Sequence, residues 1–174
     1  RFDIALKKQN IIANWINVNT ALKSEEDIEA LVQPFLGGDD PLFGTKFTGE
    51  LADFFDREKL QRLEPNPNYS LNILYGTGAA LQHWLNHCPI YLDIPKNEVQ
   101  YRARVGIPTN LGVSEALNPK DAYKRSYFVD WPALNTHKLI LAPHIEFFVD
   151  AQRPDEITSV SGDDLREGLE QLSR

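Results

Sequence analysis

The sequence predicts an α/β fold: a mainly parallel sheet of about four strands, flanked by helices, in a single domain spanning residues 1–174. Two observations support it. Short apolar runs at 71–75 and 89–93 are separated by glycines, and stretches with helical periodicity alternate with such runs. A short apolar run followed by glycine is typical of a strand buried in a parallel sheet. The length suits one hydrophobic core, and no linker or repeat divides the chain.

The N-terminal third alternates helix, strand and helix. Residues 1–9 have the pattern of the end of a helix, and residues 11–18 are rich in β-branched and aromatic types, which favours a strand. Ser24 and Asp27 form a shortened capping box that predicts a helix over 25–33. The chain opens in the middle of a helical pattern and contains no methionine. We therefore expect it to be a piece of a longer protein.

Residues 37–44 form the longest turn signal, and a further helix is expected to open at Thr48 and run to about Leu60. Next come a strand at 71–75, a glycine turn, a helix over 79–86, and a strand that ends at Asp93. A basic helix closes this central stretch at Arg104. The region 71–104 is thus predicted to be the α/β core.

The C-terminal third begins with a loop over 105–112 and a long helical pattern from Lys120 to Ala142. Pro132 lies inside that pattern and predicts a kink there. Residues 145–149 are expected to be the last strand. Ser161 then caps a final helix, whose apolar stripe consists of Leu165, Leu169 and Leu172.

Composition excludes several classes of function. The net charge of −7 argues against a general nucleic-acid binder, which would be basic. No apolar run approaches the roughly 18 residues that cross a bilayer, so no membrane partner is expected. The single cysteine, Cys88, excludes an internal disulfide framework and favours the reducing cytoplasm.

The glycine turn at Gly76 and Gly78 is the first candidate ligand site. Glycines between a strand and a helix let backbone N–H groups approach a phosphate. The pattern is only G-x-G, because Leu81 stands where a dinucleotide fingerprint has its third glycine. The competing interpretation, which we prefer, is a tight turn that binds nothing.

A basic cluster is the second candidate. Between Lys96 and Lys138 lie seven basic and four acidic residues, a local charge of +3. Guanidinium groups suit bidentate phosphate contacts. The competing interpretation, again preferred, is that these bases pair with acidic residues or remain solvated. The predicted phosphate- or ligand-binding residues are Gly76, Gly78, Asp93, Lys96, Arg102, Arg104, Lys124 and Arg125.

No catalytic or metal site is predicted. His83 and His87 have the spacing of a helical metal pair, but Trp84 stands where a metalloprotease has its glutamate. We interpret both histidines as ordinary polar residues. Asp130 is expected to cap the helix that starts at Pro132. No Ser-His-Asp set is visible, and Cys88 has no obvious base.

Four passages resemble the N-terminal region of long bacterial cupin proteins of the class I mannose-6-phosphate isomerase type. They are PFLGGDDPLFG at 34–44, YLDIPKNEVQYRARVG at 91–106, YKRSYFVDWPALNTHK at 123–138 and FVDAQRP at 148–154. The resemblance implies carbohydrate metabolism and a parent chain with sugar-phosphate isomerase activity. It also implies that zinc and the catalytic residues belong to a separate cupin domain in that parent. No cofactor is therefore expected within these residues.

The order of elements also resembles a nucleoside-kinase-like P-loop fold without its first strand. No Walker lysine is present, so a phosphate loop would lie upstream of Arg1. Three hypotheses result. The chain is an accessory or regulatory domain that binds a sugar phosphate or nucleotide, a phosphotransferase whose loop lies upstream, or an interaction module that uses Trp15, Trp84 or Trp131.

Overall fold

The fold of this chain is mixed α/β. The computed structural model describes residues 2–40, 42–107, 110–153 and 155–173. Seven α-helices lie in these ranges: α1 (Phe2–Lys8), α2 (Glu25–Val32), α3 (Arg57–Gln61), α4 (Lys96–Arg104), α5 (Pro119–Arg125), α6 (Trp131–Leu141) and α7 (Gly162–Leu172). Five strands accompany them: β1 (Ala13–Asn17), β2 (Leu71–Tyr75), β3 (Ile90–Asp93), β4 (Phe147–Asp150) and β5 (Thr158–Ser161).

The strands form two small sheets instead of the expected single sheet. Strands β1 and β2 pair in parallel as one sheet. The other has the order β3-β4-β5, with β3 parallel and β5 antiparallel to β4. The α/β class is thus confirmed, whereas the single sheet of about four strands is not what the structure has. Strand β5 was not predicted, because it is short and mostly polar.

Several helix boundaries follow from local capping, as expected. The Ser24 hydroxyl accepts a hydrogen bond from the Asp27 amide at 3.1 Å, where α2 begins. The Ser161 hydroxyl accepts from the Asp164 amide at 3.1 Å and starts α7 in the same way. Each bond satisfies one of the amides that lack a partner in the first helical turn. These starts could be predicted because the cap and its partner are three residues apart.

Two predicted helices are shorter or later than expected. The helix over 79–86 is only a 3₁₀ turn at Ala79–Leu81, and the indole of Trp84 donates instead to the Leu63 carbonyl at 2.8 Å. The helix expected from Thr48 is a 3₁₀ turn at Leu51–Phe54, and α3 begins only after Asp56. The Asp56 carboxylate accepts from two amides and sets that start. In both segments the spacing of apolar residues favours a longer helix, but local and tertiary hydrogen bonds determine the structure instead.

The long C-terminal helical pattern contains a π-helical turn, Ser126–Asp130, between α5 and α6. Pro132 lies in the first turn of α6 and has no amide to donate to the Phe128 carbonyl four residues earlier. The Phe128 carbonyl accepts instead from the Phe47 amide at 2.7 Å. The expected disturbance near Pro132 is therefore a wide turn that ties this helix to the loop around Phe47.

The hydrophobic core is built by helices and loops. Its largest members include Val18, Ile28, Leu51, Phe54 and Val129, all at most 2% exposed. None of the residues of β1 to β5 is fully buried, which contradicts the prediction that 71–75 is a buried strand. Leu74 contacts the edge of the core. No helix among the described residues is long and apolar enough to cross a membrane.

Replacing Phe54 by alanine should lower the free energy of unfolding by about 3–5 kcal/mol, because it leaves a cavity in the centre of the core. Urea denaturation monitored by circular dichroism measures the change. The matched control is Phe43→Ala, since Phe43 is largely exposed. A loss at Phe54 no larger than that at Phe43 would contradict this account of the core.

Candidate functional site

The glycine turn after β2 serves packing. Gly76 and Gly78 have φ angles of +112° and +97°, which favour glycine. A Cβ atom on Gly78 would lie 2.6 Å from the Phe55 ring, and one on Gly76 would lie 3.0 Å from Val18. The following 3₁₀ turn has three residues, too few to present a helix N-terminus to an anion. These contacts fit the interpretation that we preferred from the sequence, which is a tight turn.

Asp93 lies at the end of β3, in the other sheet. Its carboxylate pairs with the Lys138 ammonium at 2.8 Å. That ammonium also lies 4.9 Å from the centre of the Tyr91 ring. The pair joins β3 to α6, so within the chain Asp93 has a structural partner.

Arg102 is likewise engaged within the fold. Its guanidinium pairs with Glu98 one turn earlier on α4, at 2.9 Å. It also donates to the Gln152 carbonyl at 3.5 Å, just beyond β4. The contact with Gln152 ties α4 to the segment that follows β4.

Lys124 and Arg125 both have partners within the fold. The Lys124 ammonium donates to the Asp40 carbonyl, which connects α5 to the loop before Phe43. Arg125 is 3% exposed and donates to the Leu111 carbonyl at 2.7 Å and to Glu29 at 3.3 Å. The Arg125 guanidinium is thus engaged within the fold, and its binding of phosphate stays a prediction.

The cleft between α4 and α5 is the candidate site. It encloses about 370 Å³ and is lined by Val99, Gln100, Ala103, Arg104, Pro119, Lys120, Tyr123, Ser126 and Trp131. Arg104 is exposed, and its guanidinium forms no hydrogen bond or ion pair with any residue that the structure describes. Lys96 lies with its ammonium 5.3 Å from the centre of the Trp131 ring. Of the eight predicted residues, Arg104 thus lines the cleft, and Lys96 contacts one of the lining residues, Trp131.

An aromatic group forms one side of the cleft. The Tyr123 and Trp131 rings meet edge to face with centres 5.8 Å apart, and Tyr127 stacks beside Tyr123 at 6.2 Å. Aromatic pairs prefer such edge-to-face and stacked arrangements. The sequence placed Lys120 in the basic cluster and Trp131 among candidate interface residues, but Gln100 and Tyr123 were missed. The four-residue spacing of Tyr123 and Tyr127 was a signal that could have found Tyr123.

A buried polar cluster lies beneath the cleft. The Asn110 amide nitrogen is within hydrogen-bond distance of the Ala122 carbonyl, the Ser126 hydroxyl and the Asp130 carboxylate, at 3.1, 3.1 and 2.6 Å. That nitrogen carries two hydrogens, so three acceptors share them. Ser126 also lines the cleft. The cluster therefore connects the cleft wall with the interior.

Asp130 is 2% exposed and occupies the N-cap position of α6, but its side chain accepts no capping hydrogen bond, contrary to the prediction. Its second oxygen lies 3.8 Å from the Arg125 Nε atom, and neither atom has a hydrogen-bond partner within the described residues. Burial raises the pKa of Asp130 to about 6, although the Asn110 hydrogen bond and the Arg125 charge act in the opposite direction. The carboxyl group is therefore poised to titrate just below neutral pH.

His83 and His87 flank the turn at Leu85 and Asn86, and His87 is held by its contact with the Trp84 carbonyl. Burial lowers the pKa of His137 on α6. Cys88 is an exposed free thiol, and burial together with Glu146 raises its pKa. Across the described ranges, no three His, Cys, Asp or Glu residues are grouped to hold a metal ion.

Comparison with known families gives one match. A family model described as a domain of unknown function (DUF8485) matches residues 2–174. The chain belongs to this family. No curated protein and no solved structure matches it. The cleft of this DUF8485 domain must therefore be interpreted from its own residues.

Acidification from pH 7 towards pH 4.5 should stabilise the fold through Asp130. The ordinary carboxyl pKa is 3.8 and the folded one is about 6, so the folded state binds the proton more tightly in this window. The contribution of Asp130 to the free energy of unfolding is on the order of 3 kcal/mol. It is fully present at pH values below 3.8 and is lost as the pH rises through 6. Urea denaturation at several pH values measures it.

The control for this pH dependence is Asp130→Asn, which should remove most of the slope between pH 4.5 and 7. His137 acts in the opposite direction, because its lowered pKa costs stability as the pH falls below 6.5. That contribution is common to both proteins and cancels in the comparison. Asp40 and Asp56 have lowered pKa values and titrate below the window. Equal slopes in both proteins would contradict the role of Asp130.

Proposed function

We propose that this chain is an accessory α/β domain that binds a phosphate-bearing small molecule in the cleft between α4 and α5. The observation that carries the proposal is the juxtaposition of Arg104 and Lys120 with the Tyr123 and Trp131 rings around one cavity. Cationic groups provide charge-assisted hydrogen bonds to phosphate oxygens. The two rings offer a surface for the flat or apolar part of the same ligand.

The contacts of the predicted basic residues distinguish the cations that are engaged within the fold from those that could bind a ligand. Arg102, Lys124 and Arg125 are held by protein groups, whereas the Arg104 guanidinium has no such partner among the described residues. Lys96 is oriented towards the cleft by its contact with Trp131. A volume of about 370 Å³ suits a sugar phosphate or a mononucleotide, since small-molecule sites start at roughly 300 Å³.

The resemblance to mannose-6-phosphate isomerase-like cupin proteins suggests where such a domain acts. In this proposal the isomerase reaction and its zinc belong to a cupin domain of the parent protein. Residues 1–174 would sense a sugar phosphate or nucleotide and contribute no catalytic residue. The exposed free thiol of Cys88 suits the reducing cytoplasm as the place of action.

A second candidate is a phosphotransferase with a nucleoside-kinase-like arrangement. The parallel pairing of β1 with β2 and of β3 with β4 favours it, because parallel strands joined by helices characterise such folds. The separation into two sheets and the absence of a Walker lysine do not favour it. This candidate requires a glycine-rich loop with Lys-Ser/Thr upstream of Arg1. Sequencing the parent gene decides that point.

Isothermal titration with pyrophosphate, mannose 6-phosphate and a nucleoside monophosphate tests the cleft directly. At least one should bind with a dissociation constant of about a millimolar or below. Arg104→Ala should weaken binding about tenfold or more, because a charge-assisted hydrogen bond contributes roughly 1.5–3 kcal/mol. Tyr123→Ala should weaken the ring-bearing ligands more than pyrophosphate.

The matched control is Arg57→Ala, which removes an exposed arginine on α3, outside the cleft lining. It should leave all three affinities unchanged. The proposed site would be refuted if no ligand gave any heat of binding. It would also be refuted if Arg57→Ala and Arg104→Ala lowered the affinity equally.

A further inference from the structure

Ser126 is the most deeply buried polar side chain that lines the cleft between α4 and α5. It is 5% exposed, whereas Arg104, Lys120 and Tyr123 are exposed members of the same lining. Gln100, also in the lining, is half-buried. A ligand that fills the cavity therefore meets the two cations near solvent and Ser126 at the buried end.

The Ser126 hydroxyl has a hydrogen to donate. Its oxygen accepts from the Asn110 amide at 3.1 Å, but the hydroxyl donates to no acceptor within the described ranges. A helical serine often donates to the carbonyl four residues earlier, which here belongs to Ala122. That carbonyl already accepts from the Ser126 backbone amide and from the Asn110 side chain. Because a carbonyl oxygen has two lone pairs, it has no room for a third hydrogen.

The Ser126 hydrogen is therefore available to a group inside the cavity. A buried hydroxyl without an acceptor costs free energy, so a ligand oxygen at this position would be stabilised. The charges behind Ser126 decide which kind of oxygen fits. Asp130 is reached through Asn110, and Arg125 and Glu29 follow, so one guanidinium faces two carboxyl groups. Because no excess positive charge lies there, an uncharged oxygen fits better than a phosphate.

We propose that the Ser126 hydroxyl donates a hydrogen bond to an uncharged hydroxyl or carbonyl oxygen of the ligand, while Arg104 and Lys120 bind the phosphate of the same molecule. This inference rests on the proposed function and narrows it to phosphate esters that carry such oxygens, as sugar phosphates and nucleotides do. An ester with an apolar chain leaves the Ser126 hydrogen unpaired. Sites built to hydrogen-bond a hydroxyl reject analogues that lack it for this reason. Ser126 thus sets the specificity of the cleft.

Isothermal titration with mannose 6-phosphate, adenosine 5′-monophosphate and hexyl phosphate tests this specificity. All three carry one phosphate ester group, but only the first two carry hydroxyl groups. At least one of these two should bind more tightly than hexyl phosphate. Ser126→Ala should weaken binding of that ligand about three- to tenfold, because one neutral hydrogen bond is lost. It should change the affinity for hexyl phosphate by less than about twofold, since that ligand makes no such bond.

The Ser126→Ala variant should fold, because the substitution leaves the buried cluster satisfied. The two hydrogens of the Asn110 amide then serve two acceptors, the Ala122 carbonyl and the Asp130 carboxylate. Alanine also favours the helical conformation. Circular dichroism verifies the fold. A variant with a distorted cleft would lose affinity for hexyl phosphate and pyrophosphate as well.

The matched control is Ser70→Ala, which removes an exposed serine hydroxyl outside the cleft lining and should leave every affinity unchanged. Two results would overturn the role of Ser126 and leave the proposed function intact. One is hexyl phosphate that binds as tightly as both hydroxyl-bearing ligands. The other is a Ser126→Ala variant that loses no affinity, or loses it equally for all phosphate ligands. Wild-type protein that binds none of them would refute the proposed function as well.

Discussion

The buried contact between Arg125 and Asp130 is the constraint on which much of the structure depends. Both charged groups are almost inaccessible to water, so each needs polar partners, because an unpaired buried charge costs several kcal/mol. Arg125 meets this requirement by reaching Leu111 and Glu29, and Asp130 meets it by accepting from Asn110. The cluster thus holds α2, the segment at 110–111 and the C-terminal helices together.

The π-helical turn between α5 and α6 makes this cluster compatible with the cleft. Its first residue, Ser126, faces both the cleft and Asn110, and its last residue, Asp130, is buried. The same widening leaves the Phe128 carbonyl for Phe47, whose ring packs in the core. A turn of this kind is frequent at functional sites, and here it borders the cavity proposed to bind phosphate.

The charged side chains show how the candidate site was only partly predictable. The +3 segment was a correct indication of where cations gather, but most of those cations are engaged by protein groups. Arg102 and Glu98 are four residues apart, so their pairing could be anticipated from spacing. The partners of Arg125 are distant in the chain, and Glu29 lies 96 residues away. Only the folded chain separates Arg104, at the cleft, from the neighbouring bases that support the fold.

The sequence by itself determined the α/β class, β2, the end of α4, the caps of α2 and α7, and the disturbance near Pro132. These features depend on residues within a few positions of one another, whose preferences act before the chain folds. The tertiary structure alone decided that the strands form two sheets, that the helix over 79–86 is lost, and that the core lies among helices and loops. Those outcomes depend on contacts between distant segments, such as Trp84 with Leu63, for which local patterns carry no information.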